Sequence, residues 1–403
     1  MDYLLCGRNG SILSYDPTTS ELTGPDGKSI FPNPNKVWRI FNGEPDNYKK
    51  GIRTLKILLG MQCNFSCRYC NQADKRSAVL PWADIPSFLD MIAAKDWNLT
   101  RIEFWGGEPF LHWPALVELV AGMWKLFPEA EMSVVTNGSL LDQKRIDFLR
   151  QYNVQLVISH DGPGQYLRTG DPLYNQELLT RVRELAQEPG YKDRSLFNAV
   201  LTPINYDPVK VIEHFSHRVH PDVIVSFEGA VSILDCTKDD KDLAFDENTG
   251  NTMAEAIAGG IITGKLQNTS FMSHLKWFME SLQNHQPAGA IKGKCGMNKA
   301  DTVALDLAGN ILLCQNTTEK IGHINNLSRI DVSKMTPWLQ REGCAKCVVQ
   351  QLCKGGCMTA ENGPAWKQTC TNNFYYHLGI FSAAFYLITG DSLLSINEMN
   401  EEG

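Results

Sequence analysis

Between residues 51 and 230 the chain alternates short apolar runs with stretches of helical spacing, and this alternation constrains its fold more than any other feature. The apolar runs are RTLKILL (53–59), RIEFW (101–105), MSVVT (132–136), QLVIS (155–159), LFNAVLT (196–202) and VIVSFE (223–228). Between them lie ADIPSFLDMIAA, PALVELVAGMWKLF, DQKRIDFLRQY, NQELLTRVRELAQ and DPVKVIEHFSHRV, each with apolar residues at helical intervals. Strands separated by helices must run parallel with right-handed crossovers. Six units are too few to close an eight-stranded barrel, so the expected form is a curved, open or partial barrel. Ligands of such sheets sit at the C-terminal ends of the strands.

QCNFSCRYCNQ (62–72) follows the first of those strands directly and carries Cys63, Cys67 and Cys70. The chain has twelve cysteines and no basic n-region or long apolar segment at its N-terminus, MDYLLCGRNG. Clustered cysteines in a chain without an export signal point to metal or redox chemistry rather than disulfides, and the expected compartment is the cytoplasm. Structural zinc takes four ligands, commonly as two separated pairs, and three thiols within eight positions do not match that. They match three corners of a [4Fe–4S] cube, with one iron left open to a small molecule. A redox or zinc motif is the alternative reading of the loop taken alone.

A net charge of −7 without a basic run excludes a phosphate-tracking surface, so no nucleic acid is expected. The most apolar stretch, FYYHLGIFSAAFYLIT (374–389), is shorter than a bilayer-spanning helix and contains His377, so it reads as a buried helix, with no membrane. Residues 1–50 are turn-rich, with a hairpin around Arg8-Asn9-Gly10. The expected organisation is an N-terminal β-hairpin and loop region (1–50), the β/α partial barrel (51–235), a bridging region (236–290), a cysteine-rich domain (291–373), and a C-terminal helix and tail (374–403). Cys6 and Cys236 stand alone, and a solitary cysteine is most often a small buried hydrophobe.

C-x3-C-x2-C after strand one of a β/α domain, with Tyr69 before the third cysteine, resembles the signature of the radical SAM enzymes. The resemblance implies that the open iron is chelated by the amino and carboxylate groups of S-adenosylmethionine. WGGEP (105–109) resembles that family's GGEP motif, placing Gly106, Gly107, Glu108 and Pro109 at the methionyl amino group. VVTNG and ISHDGP end the third and fourth strands, so Thr136, Asn137 and Ser159 would line the cofactor pocket, with Arg168 pairing with the carboxylate. NAVLTPIN resembles the segment that packs on adenine, through Leu201. His160 stands where relatives commonly carry an apolar residue, and a satisfied structural histidine is its plainer reading.

The seven remaining clustered cysteines, at 295, 314, 344, 347, 353, 357 and 370, resemble in spacing and order the SPASM extension of radical SAM enzymes. That resemblance implies two auxiliary [4Fe–4S] clusters and three clusters in all. Cys344, Cys347, Cys353 and Cys370 would hold one; Cys295, Cys314 and Cys357 would hold the other, with its fourth ligand unassigned. A zinc ribbon using Cys344, Cys347, Cys353 and Cys357 would leave the other three idle. Sulfatase-maturing relatives carry a general-base Asp after the cysteine equivalent to Cys314. Here it is Gln315, which has no titratable group.

The implied function is modification of a ribosomally made precursor peptide, by removal of a Cβ hydrogen and formation of a cyclophane C–C or thioether cross-link. The alternatives are side-chain oxidation of the sulfatase-maturing type, radical chemistry on a small molecule and, more remotely, a non-catalytic iron–sulfur or zinc protein. The first fifty residues lack the helices of a leader-binding winged-helix module. Leader capture then falls to a separate leader-peptide-binding protein or to the core. An external reductant such as flavodoxin or ferredoxin is implied as a further partner, and no catalytic acid or base is assigned.

Overall fold

The computed structural model describes residues 2–32, 46–72, 84–233, 241–285, 297, 299–360 and 362–399. Cys236 and Cys295 lie outside the described residues.

The chain opens with three short antiparallel strands, β1 (Tyr3–Gly7), β2 (Ile12–Asp16) and β3 (Glu21–Thr23). The β/α unit then runs β4 (Thr54–Leu58), α1 (Ile85–Ala93), β5 (Arg101–Trp105), α2 (Trp113–Leu126), β6 (Glu131–Thr136), α3 (Gln143–Gln151), β7 (Val154–Ser159), α4 (Gln176–Gln187), β8 (Ser195–Leu201), α5 (Pro208–Arg218) and β9 (Ile224–Ala230). Helices α3, α4 and α5 begin at a side-chain cap. The Asp142, Asn175 and Asp207 side chains each accept a hydrogen bond from the first turn, and Pro208 follows the last of these. All six strands expected from the sequence are present, paired in order and parallel from β4 to β9.

Strand burial explains why this sheet is open on one face. In β7, Val154, Leu156 and Ile158 are buried, while Gln155, Val157 and Ser159 are half-exposed. One face packs on helices and the other looks into a concavity, so the strands alternate rather than reading as continuous apolar runs. The exception is β4, whose residues from Leu55 to Leu58 are all buried.

Beyond β9 come α6 (Glu247–Ile262) and α7 (Ser270–Gln283), then β10 (Thr302–Asp306), β11 (Asn310–Leu312), β12 (Lys320–His323), the single turn α8 (Gln350–Cys353), the long helix α9 (Pro364–Thr389) and β13 (Leu393–Glu398). β10 adds to the barrel sheet in parallel with β4, with Thr302 opposite Thr54 and Asp306 opposite Leu58. β11 and β12 continue it antiparallel, giving nine strands in the order β12-β11-β10-β4-β5-β6-β7-β8-β9. The cysteine-rich region is therefore built onto the barrel's first strand and shares its sheet.

The C-terminal segment departs from the expected helix and tail. α9 starts at Pro364, so Cys370 lies on it, and residues 393–398 form a strand paired with β1. The Asp391 carboxylate fixes this closure by accepting from Asn9 N at 2.9 Å, Asn9 Nδ2 at 2.9 Å and Ser11 N at 3.2 Å, all in the first hairpin. α9 itself is buried, with Tyr376, His377, Ile380 and Ala383 at or near zero exposure. No helix among the described residues is long and apolar enough to cross a membrane.

Candidate functional site

The cysteine loop is an extension of β4 held by the ends of its neighbours. Leu59 N donates to Trp105 O at 2.9 Å, Gly107 N to Gly60 O at 2.8 Å and Glu108 N to Gln62 O at 2.8 Å, so the β4–β5 pairing runs on past both strands. There is no room for a side chain at this seam. A Cβ on Gly107 would lie 2.3 Å from the carbonyl oxygens of Met61 and Gln62, and one on Gly106 2.6 Å from that of Gly60. The glycine pair therefore serves the approach of two backbone segments as well as facing the site.

Side chains tie the same loop to the other strand ends. Asn137, after β6, donates to Asn64 Oδ1 at 2.8 Å, and Asn64 donates to Ser139 Oγ at 2.8 Å. Ser66 N donates to Thr169 Oγ1 at 2.8 Å, and Gln72 Nε2 to Gly106 O at 2.8 Å. Tyr69 donates its hydroxyl to Asp161, which follows β7. The anchors lie in the segments that follow the C-terminal ends of β5, β6 and β7, where the β/α topology places ligands.

These elements surround a cleft of about 420 Å³. Cys63, Cys67 and Cys70 line it together with Gly106, Gly107, Thr136, Asn137, Ser159 and Arg168. Cys314, Gln315 and Cys357 from the C-terminal region line the same cleft. Glu108, Pro109 and Leu201 are buried and do not line it; Val200 does. Glu108 instead braces the β6 end. Its Oε1 accepts from Phe110 N at 3.0 Å and Thr136 Oγ1 at 2.7 Å, and its Oε2 accepts from Asn137 N at 2.7 Å. Burial pushes its carboxyl up, although all three donors favour the ionised form. Glu108→Ala strands three buried donors and is expected to cost roughly 3 kcal/mol. A lowered urea midpoint, with no comparable change for an exposed Glu→Ala control, checks it.

Arg168 is already engaged within the protein. Its Nε and Nη2 donate to the two oxygens of the fully buried Asp161, at 2.9 and 3.0 Å. It lies 5.4 Å from the Tyr69 ring centroid. Burial acts to lower its pKa, but the Asp161 charge outweighs this and holds the guanidinium as a cation. His160 faces away from this chemistry. It is fully buried, accepts from Gly162 N through Nδ1 at 3.0 Å and contacts Asp171 Oδ1 through Nε2 at 3.0 Å. That pattern fixes the neutral Nε2–H form. Burial lowers its pKa, so its contribution to stability is complete above the ordinary histidine range and is lost as pH falls through the lowered value.

The C-terminal cysteines lie close enough together to raise one another's pKa. Burial pushes the Cys344 thiol up to about 12, and Cys353, Cys370 and Cys347 add to the shift. Cys347 rises to about 12 through burial and then Cys353. Four thiolates in such a pocket require a positive counterpart, which is the donor chemistry of an iron–sulfur centre. Among the described residues no three His, Cys, Asp or Glu side chains converge as a single-ion metal site. Cys314 and Cys357 are set apart from that foursome by facing the cleft.

Arg341 organises this region. It is buried, lies 3.8 Å from the Trp366 ring centroid, and donates to Cys357 O and Ala360 O at 2.7 Å each and to Asn362 Oδ1 at 3.1 Å. Arg341→Met removes these bonds while keeping bulk. The expected loss is about 3 kcal/mol, read as a lower thermal midpoint of the anaerobically purified protein.

Several cleft residues were not evident from sequence. Asp161 was visible only as part of ISHDGP, and its pairing with Arg168 and Tyr69 needs the fold. Glu228 and His274 also line the cleft. Glu228 carried a usable signal, a lone charge near the C-terminal end of an otherwise apolar barrel strand; His274 lies on a helix 46 positions later and carried none.

The sequence profile described as "Radical SAM superfamily" matches residues 57–215, which span β4 to α5 and include the cysteine loop. Residues 57–215 are thus a radical SAM domain. A domain of this family implies S-adenosylmethionine and a [4Fe–4S] cluster; Cys63, Cys67 and Cys70, three thiols lining one strand-end cleft, fit such a group. The chain is 26% identical over 192 residues to the radical SAM cyclopropyl synthase TigE of Paramaledivibacter caminithermalis, covering 43% of this chain and 39% of that one. It spans about half or less of the length of the curated relatives it matches. Among solved structures it shares the fold of anSMEcpe with bound AdoMet and Cp18Cys peptide, with TM-score 0.59, 18% identity, and coverage of 84% of this chain and 99% of that one. It also shares the fold of Streptococcus suis SuiB bound to its precursor peptide SuiA, with TM-score 0.52, 15% identity, and coverage of 80% and 76%.

Proposed function

We propose that this chain is a radical SAM enzyme whose C-terminal region holds two auxiliary [4Fe–4S] clusters in SPASM fashion, and that it cross-links a ribosomally made peptide. One observation carries the reading: the cysteine loop and two of the C-terminal cysteines, Cys314 and Cys357, face a single cleft. A site of one-electron chemistry at both walls suits a reaction that begins by removing a hydrogen atom and ends by removing an electron. The fold shared with two peptide-bound enzymes supports a peptide as substrate.

Cys63, Cys67 and Cys70 would hold the first cluster. Gly106, Gly107, Thr136, Asn137, Ser159 and Arg168 would surround the cofactor, with the Arg168 cation facing its carboxylate. Cys344, Cys347, Cys353 and Cys370 would hold one auxiliary cluster, and Cys314 and Cys357, with Cys295, the other. The chemistry supplied there, once clusters and cofactor are bound, is reductive cleavage of S-adenosylmethionine to a 5′-deoxyadenosyl radical that takes hydrogen from an unactivated carbon. The chain's own residues position the substrate Cβ and keep water out. A reductant of the flavodoxin or ferredoxin kind supplies the electron, and a separate protein is one route by which the leader reaches the core.

Oxidation of a sulfatase side chain is the second reading, favoured by a shared fold that covers 99% of anSMEcpe. Gln315, beside Cys314, has no proton-accepting carboxylate for that role, and its buried Oε1 has no hydrogen-bond partner among the described residues. The two readings separate in one experiment. The protein is co-expressed anaerobically with each short peptide encoded beside its gene and, separately, with a sulfatase. The expected result is a peptide lighter by two hydrogen atoms, with the loss mapped to two linked residues. Formylglycine in the sulfatase, with every peptide unchanged, would replace the first reading by the second.

A further inference from the structure

On the cross-linking reading proposed above, bond formation releases a proton that must be accepted within the cleft. A substrate carbon radical joining an X–H group forms the C–X bond and breaks the X–H bond, leaving one proton and one electron. The electron has an acceptor class in an iron–sulfur centre that Cys314 and Cys357 would help to hold. The proton needs a base in the cleft.

Apart from cysteines, four titratable side chains line the cleft among the described residues: Tyr69, Arg168, Glu228 and His274. Tyr69 already donates its hydroxyl to the buried Asp161. Arg168 is held as a cation by both Asp161 oxygens. Gln315, beside the cleft-facing Cys314, is an amide and accepts no proton.

Glu228 differs in how the backbone presents it. In the β8–β9 pairing Phe227 lies opposite Ala199, but Gly229 lies opposite Val200, so Glu228 is the extra residue of a β-bulge. A bulge breaks the alternation of a strand and re-aims a side chain. Here Phe227, Glu228, Gly229 and Ala230 all line the cleft in succession, and Glu228 alone of the four is exposed. Its one direct partner is Asn198 Nδ2 at 3.4 Å, and among the described residues it makes no salt bridge. A carboxylate turned out of a buried strand by a bulge, into the cleft between the two sets of cysteines, is placed to meet the substrate. We propose that Glu228 accepts the proton released as the cross-link forms.

The test uses the peptide that wild-type protein cross-links, prepared with deuterium at the reacting Cβ, together with the variants Glu228→Gln and Glu228→Asp. With Glu228→Gln, deuterium is expected in 5′-deoxyadenosine as in wild type, while cross-linked product falls by about a hundredfold or more. Glu228→Asp is expected to recover part of the product. Binding of fluorescently labelled peptide to the anaerobically reconstituted protein is expected to stay within about twofold on Glu228→Gln. Equal cross-linking by Glu228→Gln overturns the assignment. So does a tenfold loss of peptide affinity with abstraction and cross-linking still coupled, which would make Glu228 a charge-recognition residue. Uncoupling by His274→Gln and not by Glu228→Gln moves the role to His274 and likewise overturns it. Wild-type protein that cross-links none of the peptides fails the reading above, and this inference falls with it; cross-linking that survives Glu228→Gln fails this inference alone.

Discussion

Cys67→Ala is expected to reduce reductive cleavage of S-adenosylmethionine to background while leaving the C-terminal cysteines loaded. Cys67 is the middle thiol of the loop that lines the cleft beside Gly106, Gly107 and Ser159. Loss of one of three thiolates leaves two iron atoms without protein ligands, and a cluster so held does not persist. The variant is not expected to unfold, because the loop is also anchored by backbone and by Asn64, Ser66 and Tyr69. After anaerobic reconstitution, iron should drop from about twelve to about eight atoms per chain, and 5′-deoxyadenosine should be undetectable with dithionite as reductant. Retained cleavage would remove the loop from its assigned role. A wild-type content near four would remove the auxiliary clusters.

Gly107→Ala is the second large effect, and it acts through backbone alone. The new Cβ would lie 2.3 Å from two carbonyl oxygens, those of Met61 and Gln62. Both are main-chain atoms, so no side chain can rotate away. The seam must open, and with it the hydrogen bonds from Gly107 N to Gly60 O and from Glu108 N to Gln62 O. Cys63 is the next residue along the displaced segment. Forced repacking of this kind costs about 3 kcal/mol or more, and cofactor binding is expected to weaken at least about tenfold, which is 1.4 kcal/mol. Gly190→Ala is the control. A Cβ there meets nothing within 4 Å, and the substitution is expected to change stability by less than about 0.5 kcal/mol. Equilibrium binding of S-adenosylmethionine and urea midpoints for both variants check the contrast. Comparable behaviour of the two would mean that the seam is softer than its contacts imply.

The placement of cysteines in two groups is written in their spacing, but their meeting in one cleft is not. Cys314 stands 244 positions after Cys70. It reaches the cleft because β10 adds in register to β4 and β11 turns back from it. A five-residue strand, TVALD, carries no mark of which sheet edge it joins. The C-terminal strand was hidden for a related reason: LLSINE alternates weakly, and its partner is at the opposite end of the chain. Long-range β pairing is decided by edges that become available only once the rest has folded.

The local sequence determined a good deal by itself. Apolar periodicity set six parallel strands and the helices between them, because period two and period 3.6 each suit one backbone geometry. Thiol spacing within eight residues pointed to one shared metal centre at the first loop, because ligands that close share one centre. Tertiary structure decided which side chains meet. It gave Arg168 to Asp161, placed Glu108 behind the site as a brace, and packed the glycine seam against the chain's own carbonyls. It also turned Glu228 into the cleft through a one-residue mismatch between two strands. Those pairings depend on register and crossing between segments distant in sequence, and no local propensity encodes them.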